Sequence, residues 1–184
     1  MPFVQPSPHN VSPNIGNYFI GRGFAQIQLP GDTTYHDLGN ITLFEFQVKP
    51  TMLPHFSSRV GVRKKDFTAV TELDATLTLT LEEFTARNLG FAVLGFVTGT
   101  APNYSISIMS EPQIYCSFLF TGTNTVGPQW QASFPTVLLT PQKAISLISA
   151  GSGAWGTIDI QGDVLFDQHS GTFGTLTTSQ IASP

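Results

Sequence analysis

The chain has 184 residues, of which only 11% are charged, whereas an average soluble domain has roughly 25%. Its 15 phenylalanines and low charge exclude intrinsic disorder, which requires low hydrophobicity and high charge. A net charge of −4, with only 8 Lys and Arg residues, argues against the broad phosphate-neutralising surface of an ordinary nucleic-acid-binding protein.

Alternation of apolar and polar residues predicts a mainly β protein, a two-sheet β-sandwich or barrel. Residues 1–16 hold four prolines without periodicity, which predicts an extended, Pro-rich N-terminal arm. The alternation is cleanest at 76–81, where three leucines oppose three threonines. The other predicted strands are 19–29, 42–48, 103–109, 112–121, 129–139 and 156–166. We expect one domain over 17–170, followed by a C-terminal arm over 171–184.

Residues 50–66 lie between two of these strands and predict a long loop, because two prolines interrupt them and the alternation is lost. Four basic residues cluster there and are compatible with three roles: a nucleic-acid or nuclear-localisation patch, a solvated loop, and a loop that docks on an acidic surface of another subunit. The candidate contact residues are Pro50, His55, Phe56, Arg59, Arg63, Lys64, Lys65 and Asp66.

Residues 82–94 break the β pattern and predict a single flanking helix. Phe84, Asn88 and Leu89 keep helical spacing. Glu82 and Glu83 would occupy the first turn, where acidic side chains interact favourably with the helix dipole and stabilise the helix. Gly90 weakens this prediction, because glycine inside a helix costs about 1 kcal/mol relative to alanine. The alternative is that 82–89 extends the preceding strand into a loop.

The last predicted strand carries a locally anionic face. Ile158, Ile160, Val164 and Phe166 alternate with polar residues, and Lys143 is the only basic residue after Arg87. This face is either an ordinary solvated sheet face or a functional acidic surface. Its polar residues are Asp159, Gln161, Asp163 and Asp167.

No motif in the sequence supports catalysis, and we expect no enzyme activity, cofactor or metal. The GSGAWG run at 151–156 has the spacing of a dinucleotide fingerprint, but a strand-like sequence follows it where that motif needs a helix. The four histidines are scattered, and a single cysteine, Cys116, permits neither a disulfide nor a cysteine-based metal site. No apolar run spans a membrane and no signal peptide is recognisable, so we expect an intracellular protein without membrane contact.

An ordered series of segments over about residues 18–167 resembles the major tail tube proteins of long-tailed bacteriophages with non-contractile tails. The segments are YFIGRG (18–23), DLGN (37–40), FEF (44–46), HFSSRVG (55–61), LTLEEF (79–84), NL (88–89), FTGTN (120–124), FPTV (134–137) and a strand from Gly156 that ends in VLFD (164–167). The Pro-rich residues 1–16 have no match in that family.

The resemblance implies a β-barrel or sandwich with one flanking helix, assembled as hexameric rings that stack into a tube for genome ejection. It implies a loop at 50–66 that reaches the adjacent ring and, as partners, further copies of the chain and the tail terminator, tape measure and tail tip proteins. DNA would pass without specific binding. The protein would reside in the virion tail, and in the host cytoplasm during assembly.

Electrostatics adds a hypothesis to this picture. Each cation paired with a phosphate strengthens DNA binding by releasing counterions, so a conduit benefits from an acidic or neutral bore. We therefore expect Asp159, Gln161 and Asp163 to face the lumen. Two other classes stay open: a tube subunit of a contractile tail or secretion machine, and a ligand-binding β-sandwich that would use Trp130 and Trp155.

Overall fold

The structure, a computed structural model, describes residues 17–59, 61–141, 144–145, 147 and 155–179. The predicted N-terminal arm at 1–16 lies outside the described residues. Within them, the chain forms ten strands and one short helix, α1 at Ala86–Ala92. The strands are β1 Gly23–Gln28, β2 His36–Asp37, β3 Ile41–Ser57, β4 Lys64–Leu81, β5 Phe96–Thr100, β6 Asn103–Ser107, β7 Tyr115–Gly122, β8 Gln129–Leu139, β9 Ile158–Val164 and β10 Thr175–Ser179.

Eight strands form one antiparallel sheet in the order β2-β1-β7-β8-β9-β4-β3. The eighth, β10, pairs with residues 129–133 of β8, while residues 137–139 of β8 pair with β9. Strands β5 and β6 form a separate two-stranded hairpin beside α1. The prediction of a mainly β fold with a flanking helix is confirmed.

The large sheet curls over its own apolar face, as in a β-sandwich. Phe44 of β3 stacks on Phe120 of β7 with ring centroids 4.9 Å apart, and Phe46 of β3 packs against Phe134 of β8 at 5.6 Å. Beneath these rings, fully buried residues of five strands meet in one core, among them Ile27, Leu77, Leu79, Phe118, Val137 and Ile160. Burial of this apolar face supplies most of the favourable free energy of folding.

The prediction of a long loop at 50–66 is wrong. Residues 50–57 belong to β3 and residues 64–66 to β4, so that only the short turn between Ser57 and Lys64 lies outside the two strands. The pairing is shifted at two bulges, between Thr51 and Met52 and between His55 and Phe56. Proline is accepted here because β3 is an edge strand of the sheet, where an amide can be lost without loss of a ladder partner.

The helix is shorter than predicted and begins after the two glutamates. Thr85 is the N-cap, and its side chain accepts a hydrogen bond from the Asn88 backbone at 3.1 Å. The predicted placement of Glu82 and Glu83 in the first turn is therefore wrong. Both side chains instead accept hydrogen bonds from Asn40, so they join the end of β4 to the start of β3.

Residues 175–179 of the predicted C-terminal arm form β10 and belong to the sheet, so the domain extends beyond residue 170. The short sequence TLTTS has too few residues for a clear alternation, which is why the pattern at this end was not recognised. Residues 180–184 lie outside the described residues. Among the helices that the structure describes, none is long and apolar enough to cross a membrane.

Asn124 is 1% exposed and joins the start of the domain to the β7–β8 connection. Its Oδ1 accepts from the Ile20 backbone N–H at 3.0 Å, and its Nδ2 donates to the carbonyl oxygens of Tyr18 at 3.3 Å and Pro128 at 3.2 Å. These hydrogen bonds fix both segments, since the buried amide of Asn124 would otherwise lose water without replacement.

We expect Asn124→Ala to lower the free energy of unfolding by about 2 kcal/mol, because it removes a buried amide whose hydrogen bonds join two segments of the chain. Urea denaturation followed by circular dichroism measures this loss. Asn103→Ala, at an exposed position in β6, is the matched control and should change stability by less than about 0.5 kcal/mol. Equal effects of the two variants would contradict a special role for Asn124.

Cys116 is 3% exposed in the core face of β7, and burial raises the pKa of its thiol to about 12. Because the thiolate is the reactive form, we expect iodoacetamide at pH 8 to leave the folded protein unmodified and to alkylate one site after denaturation. Mass spectrometry before and after denaturation tests this. Rapid alkylation of the folded protein would contradict the burial of Cys116.

Candidate interaction surfaces

The hairpin of β3 and β4 projects beyond the core. Described residues 50–56 and 61–67 are all exposed, although they belong to or continue the two longest strands that the structure describes. At its tip, the guanidinium of Arg63 lies 5.4 Å from the centre of the Phe56 ring, and His55 Nδ1 lies 2.6 Å from Asp66 Oδ1. The predicted contact residues thus lie together on one projecting element, as strands and a turn rather than as a loop.

The hairpin also exposes an apolar stripe that was not predicted from the sequence. Val48, Met52, Val70 and Leu73 are each more than half exposed. Met52 pairs with Val70, and Leu73 pairs with Pro50, so these side chains form neighbouring cross-strand pairs. The sequence KPTMLPHF at 49–56 carries no clear strand signal, because it has one β-branched residue and two prolines.

The predicted acidic residues of β9 lie on the face of the sheet opposite the core. Asp159, Gln161 and Asp163 alternate with buried neighbours and are half-buried. They are the register partners of three threonines of β4, and Glu45 and Gln47 of β3 continue the same rows. The paired sets are Asp159 with Thr80, Gln161 with Thr78 and Glu45, and Asp163 with Thr76 and Gln47.

This polar face contains no Lys or Arg over described residues 45–47, 76–80 and 159–163. Thr80 Oγ1 donates to Asp159 Oδ1 at 2.5 Å, so this carboxylate is held in place from the neighbouring strand. The nearest cation along β3, Lys49, stands opposite Asp74 where the hairpin leaves the body. The result is a broad surface of threonine, glutamine and carboxylate side chains.

Asp167, predicted on the same face, is not part of it. It lies beyond β9 in a turn, where hydrogen bonds from the Ser170 side chain and the His169 backbone hold the pKa of its carboxyl below its ordinary value. Its carboxylate also accepts from the Ser170 backbone at 3.1 Å. Asp167 therefore shapes the turn rather than the polar face.

A groove of about 1160 Å³ lies between α1, the β5–β6 hairpin and the segments that follow β1 and precede β7. Gly90 allows its wall to form, since a Cβ there would lie 2.8 Å from Val97 Cγ2. Asn88 holds α1 in place by donating to the carbonyl oxygens of Leu38 at 3.0 Å and Glu83 at 2.9 Å. The exposed aromatic side chains that line the groove are Phe84, Phe96, Tyr104 and Tyr115.

The remaining candidate residues form no common site. His36 lies 3.2 Å from Asp32 at the end of β1, far along the chain from the His55–Asp66 pair, and His9 lies outside the described residues. Of the GSGAWG run, residues 151–154 lie outside the described residues, and the strand β9 follows. Neither Trp130 nor Trp155 lines the groove. The described residues contain no cluster of His, Cys, Asp and Glu that could hold a metal ion.

The two ends of the molecule carry different surfaces. Because neighbouring strands run antiparallel, the start of β1 lies at the same end of the sheet as the tip of the β3–β4 hairpin. The end of β1, the start of β7, α1 and the groove lie at the opposite end.

Comparisons add no relatives to this description: no protein-family model matches the chain, and no curated protein matches its sequence.

Proposed function

We propose that this protein is a structural subunit that assembles into hexameric rings, which stack as the tail tube of a long-tailed bacteriophage and conduct its genome. It acts without catalysis and without a cofactor. Its partners are further copies of itself and the proteins that start, measure and end the tube. The resemblance of the sequence over about residues 18–167 supplies the family, and the surfaces described above support the assembly.

The projecting hairpin is the observation that carries this proposal. An exposed stripe of Val48, Met52, Val70 and Leu73 on a two-stranded arm would favour aggregation of a monomer. An isolated two-stranded hairpin is also only marginally stable in water. Both features are accounted for if another subunit covers the arm in the assembled state.

The difference between the two ends supports a head-to-tail arrangement. A surface that meets a different surface on the next copy forms a heterologous interface, which closes into a ring or continues into a filament. A stacked tube uses both outcomes, since subunits close within each ring and continue from ring to ring. The free edge of β3 offers unpaired backbone groups for contacts within a ring.

The polar face supports a conduit. Its carboxylates repel DNA phosphates, and its threonine and glutamine side chains add no positive charge, so DNA contacting this face releases few counterions. We assign Asp159, Gln161 and Asp163 to the lumen. The basic residues at the hairpin tip would then contact an acidic surface of the adjacent ring.

The purified protein is expected to form rings or tubes about 100 Å wide in negative-stain electron microscopy, as six domains of this size around a pore require.

The variant Arg59→Ser, Arg63→Ser, Lys64→Ser, Lys65→Ser should lose long tubes while its melting temperature changes little, because all four side chains are exposed and outside the core. Tube length and thermal unfolding are the two measurements.

Arg59→Lys combined with Arg63→Lys is the matched control, because it keeps the positive charge of the tip and should keep the tubes. Tubes of normal length from the serine variant would contradict the docking role. A monomer at every concentration, with or without a preformed tail tip complex, would contradict the tube and favour a ligand-binding β-sandwich that uses the aromatic groove.

Gln161→Lys tests the lumen assignment. Because its position is half-buried on a face without Lys or Arg nearby, the new cation should leave tube formation intact and make DNA retention by the tubes sensitive to salt. DNA binding to assembled tubes at low and high salt measures this, with Gln161→Ala as the control that adds no charge. A reconstruction of the tube with Asp159 and Asp163 on the outer wall would overturn the assignment.

A further inference from the structure

The groove at the helix end of the molecule is built as a binding surface. Phe84, Phe96, Tyr104 and Tyr115 are 40%, 57%, 52% and 39% exposed, so four aromatic rings of one concave surface contact solvent. Contiguous exposed apolar surface of this kind marks interaction sites, and burying such rings contributes strongly to affinity. The groove is therefore the strongest unassigned site among the described residues.

The chemistry of the lining favours a Pro-rich peptide. Aromatic-lined grooves recognise polyproline-like segments, which have little conformational entropy to lose and whose backbone carbonyls stay free to accept hydrogen bonds. The hydroxyl of Tyr104 and the guanidinium of Arg87 supply donors at the groove. The charged residues of the lining are Asp37, Arg87 and Glu111, whose charges nearly cancel. The groove therefore suits an uncharged peptide.

The chain itself contains such a segment. Residues 1–16, MPFVQPSPHNVSPNIG, hold four prolines together with Phe3, Val4 and Val11, and they contain no Asp, Glu, Lys or Arg. In a polyproline-like conformation, at about 3.1 Å per residue, sixteen residues reach about 50 Å. This segment lies outside the described residues, so its match to the groove rests on its composition.

The described chain begins at the end of the sheet opposite to the groove, and in a head-to-tail stack that end meets the groove of the next copy. The Asn124 side chain bonds the backbone of Tyr18 and Ile20 just before β1 begins, so the described residues start at that end of the sheet. The groove begins at Leu29, beyond the opposite end of β1. The six residues of β1 alone separate the two ends by about 20 Å.

We infer that residues 1–16 of one subunit bind the aromatic groove of a neighbouring subunit and tie successive rings together head to tail. This inference rests on the proposed tube, because head-to-tail stacking places the exit of one arm next to the groove of the next copy. It gives the Pro-rich arm a role, and it makes the groove an interface rather than a small-molecule site.

Photo-crosslinking within assembled protein tests the contact. Full-length chain with Phe3 replaced by p-benzoylphenylalanine is mixed with ¹⁵N-labelled chain, assembled and irradiated, and the crosslinked peptides are mapped by mass spectrometry. The expected result is crosslinks to the segments around Phe84, Phe96 and Tyr104, joining labelled to unlabelled chains. The same samples are imaged by electron microscopy.

The outcomes separate the two proposals. Crosslinks to the groove only within one chain, or tubes whose crosslinks miss the groove, would overturn arm docking between subunits and leave the tube intact. A sample without rings or tubes would contradict the proposed function itself. Interchain crosslinks that map to the groove in tubes support both.

Variants of the groove provide a second measurement. Phe96→Ala combined with Tyr104→Ala should lower the yield of interchain crosslinks by about tenfold, the scale expected when aromatic anchors of an interface are removed. Phe166→Ala is the matched control, because Phe166 is 53% exposed and lies outside the groove. An equal yield from all three proteins would overturn the assignment of the groove.

Discussion

The alternation of β4 is the constraint on which the rest of the structure depends. Leu77, Leu79 and Leu81 are fully buried on one side of the strand, and burying each contributes about 2 kcal/mol relative to exposure. A shift of register by one residue would exchange every leucine with a threonine, so the pairing of β4 with β3 and β9 is fixed. The polar face on the other side is therefore ordered as strictly as the core.

The same strand explains why the hairpin could not be recognised from its sequence. From Ala75 to Leu81, β4 covers the core and alternates, whereas between Leu73 and the tip no residue is buried and no alternation is required. Prolines at 50 and 54 are tolerated because β3 forms the edge of the sheet. A pattern that reports burial is absent where nothing is buried, and the segment was predicted as a loop for that reason.

Where an element packs on the core, the sequence predicted it closely, as for β8 at 129–139 and for β9 within 156–166. The start of α1 was predicted wrongly because Glu82 and Glu83 suit a helix terminus, while their actual partner, Asn40, is distant in sequence. The groove could not be predicted either. Its walls come from six separated segments, and only the fold brings Phe84, Phe96 and Tyr115 together.

The proposed assembly explains the low charge of the chain. Much of the surface has a partner in the proposed assembly: the hairpin stripe and the groove meet other subunits, and the polar face meets solvent and DNA. Unpaired charges would oppose docking at the hairpin stripe and the groove, since a charge buried at a subunit interface must be paired, and a cation in the bore would retain DNA. The basic tip is the exception, because it lies at the outermost point of the hairpin, where a charge stays hydrated until it meets an acidic partner.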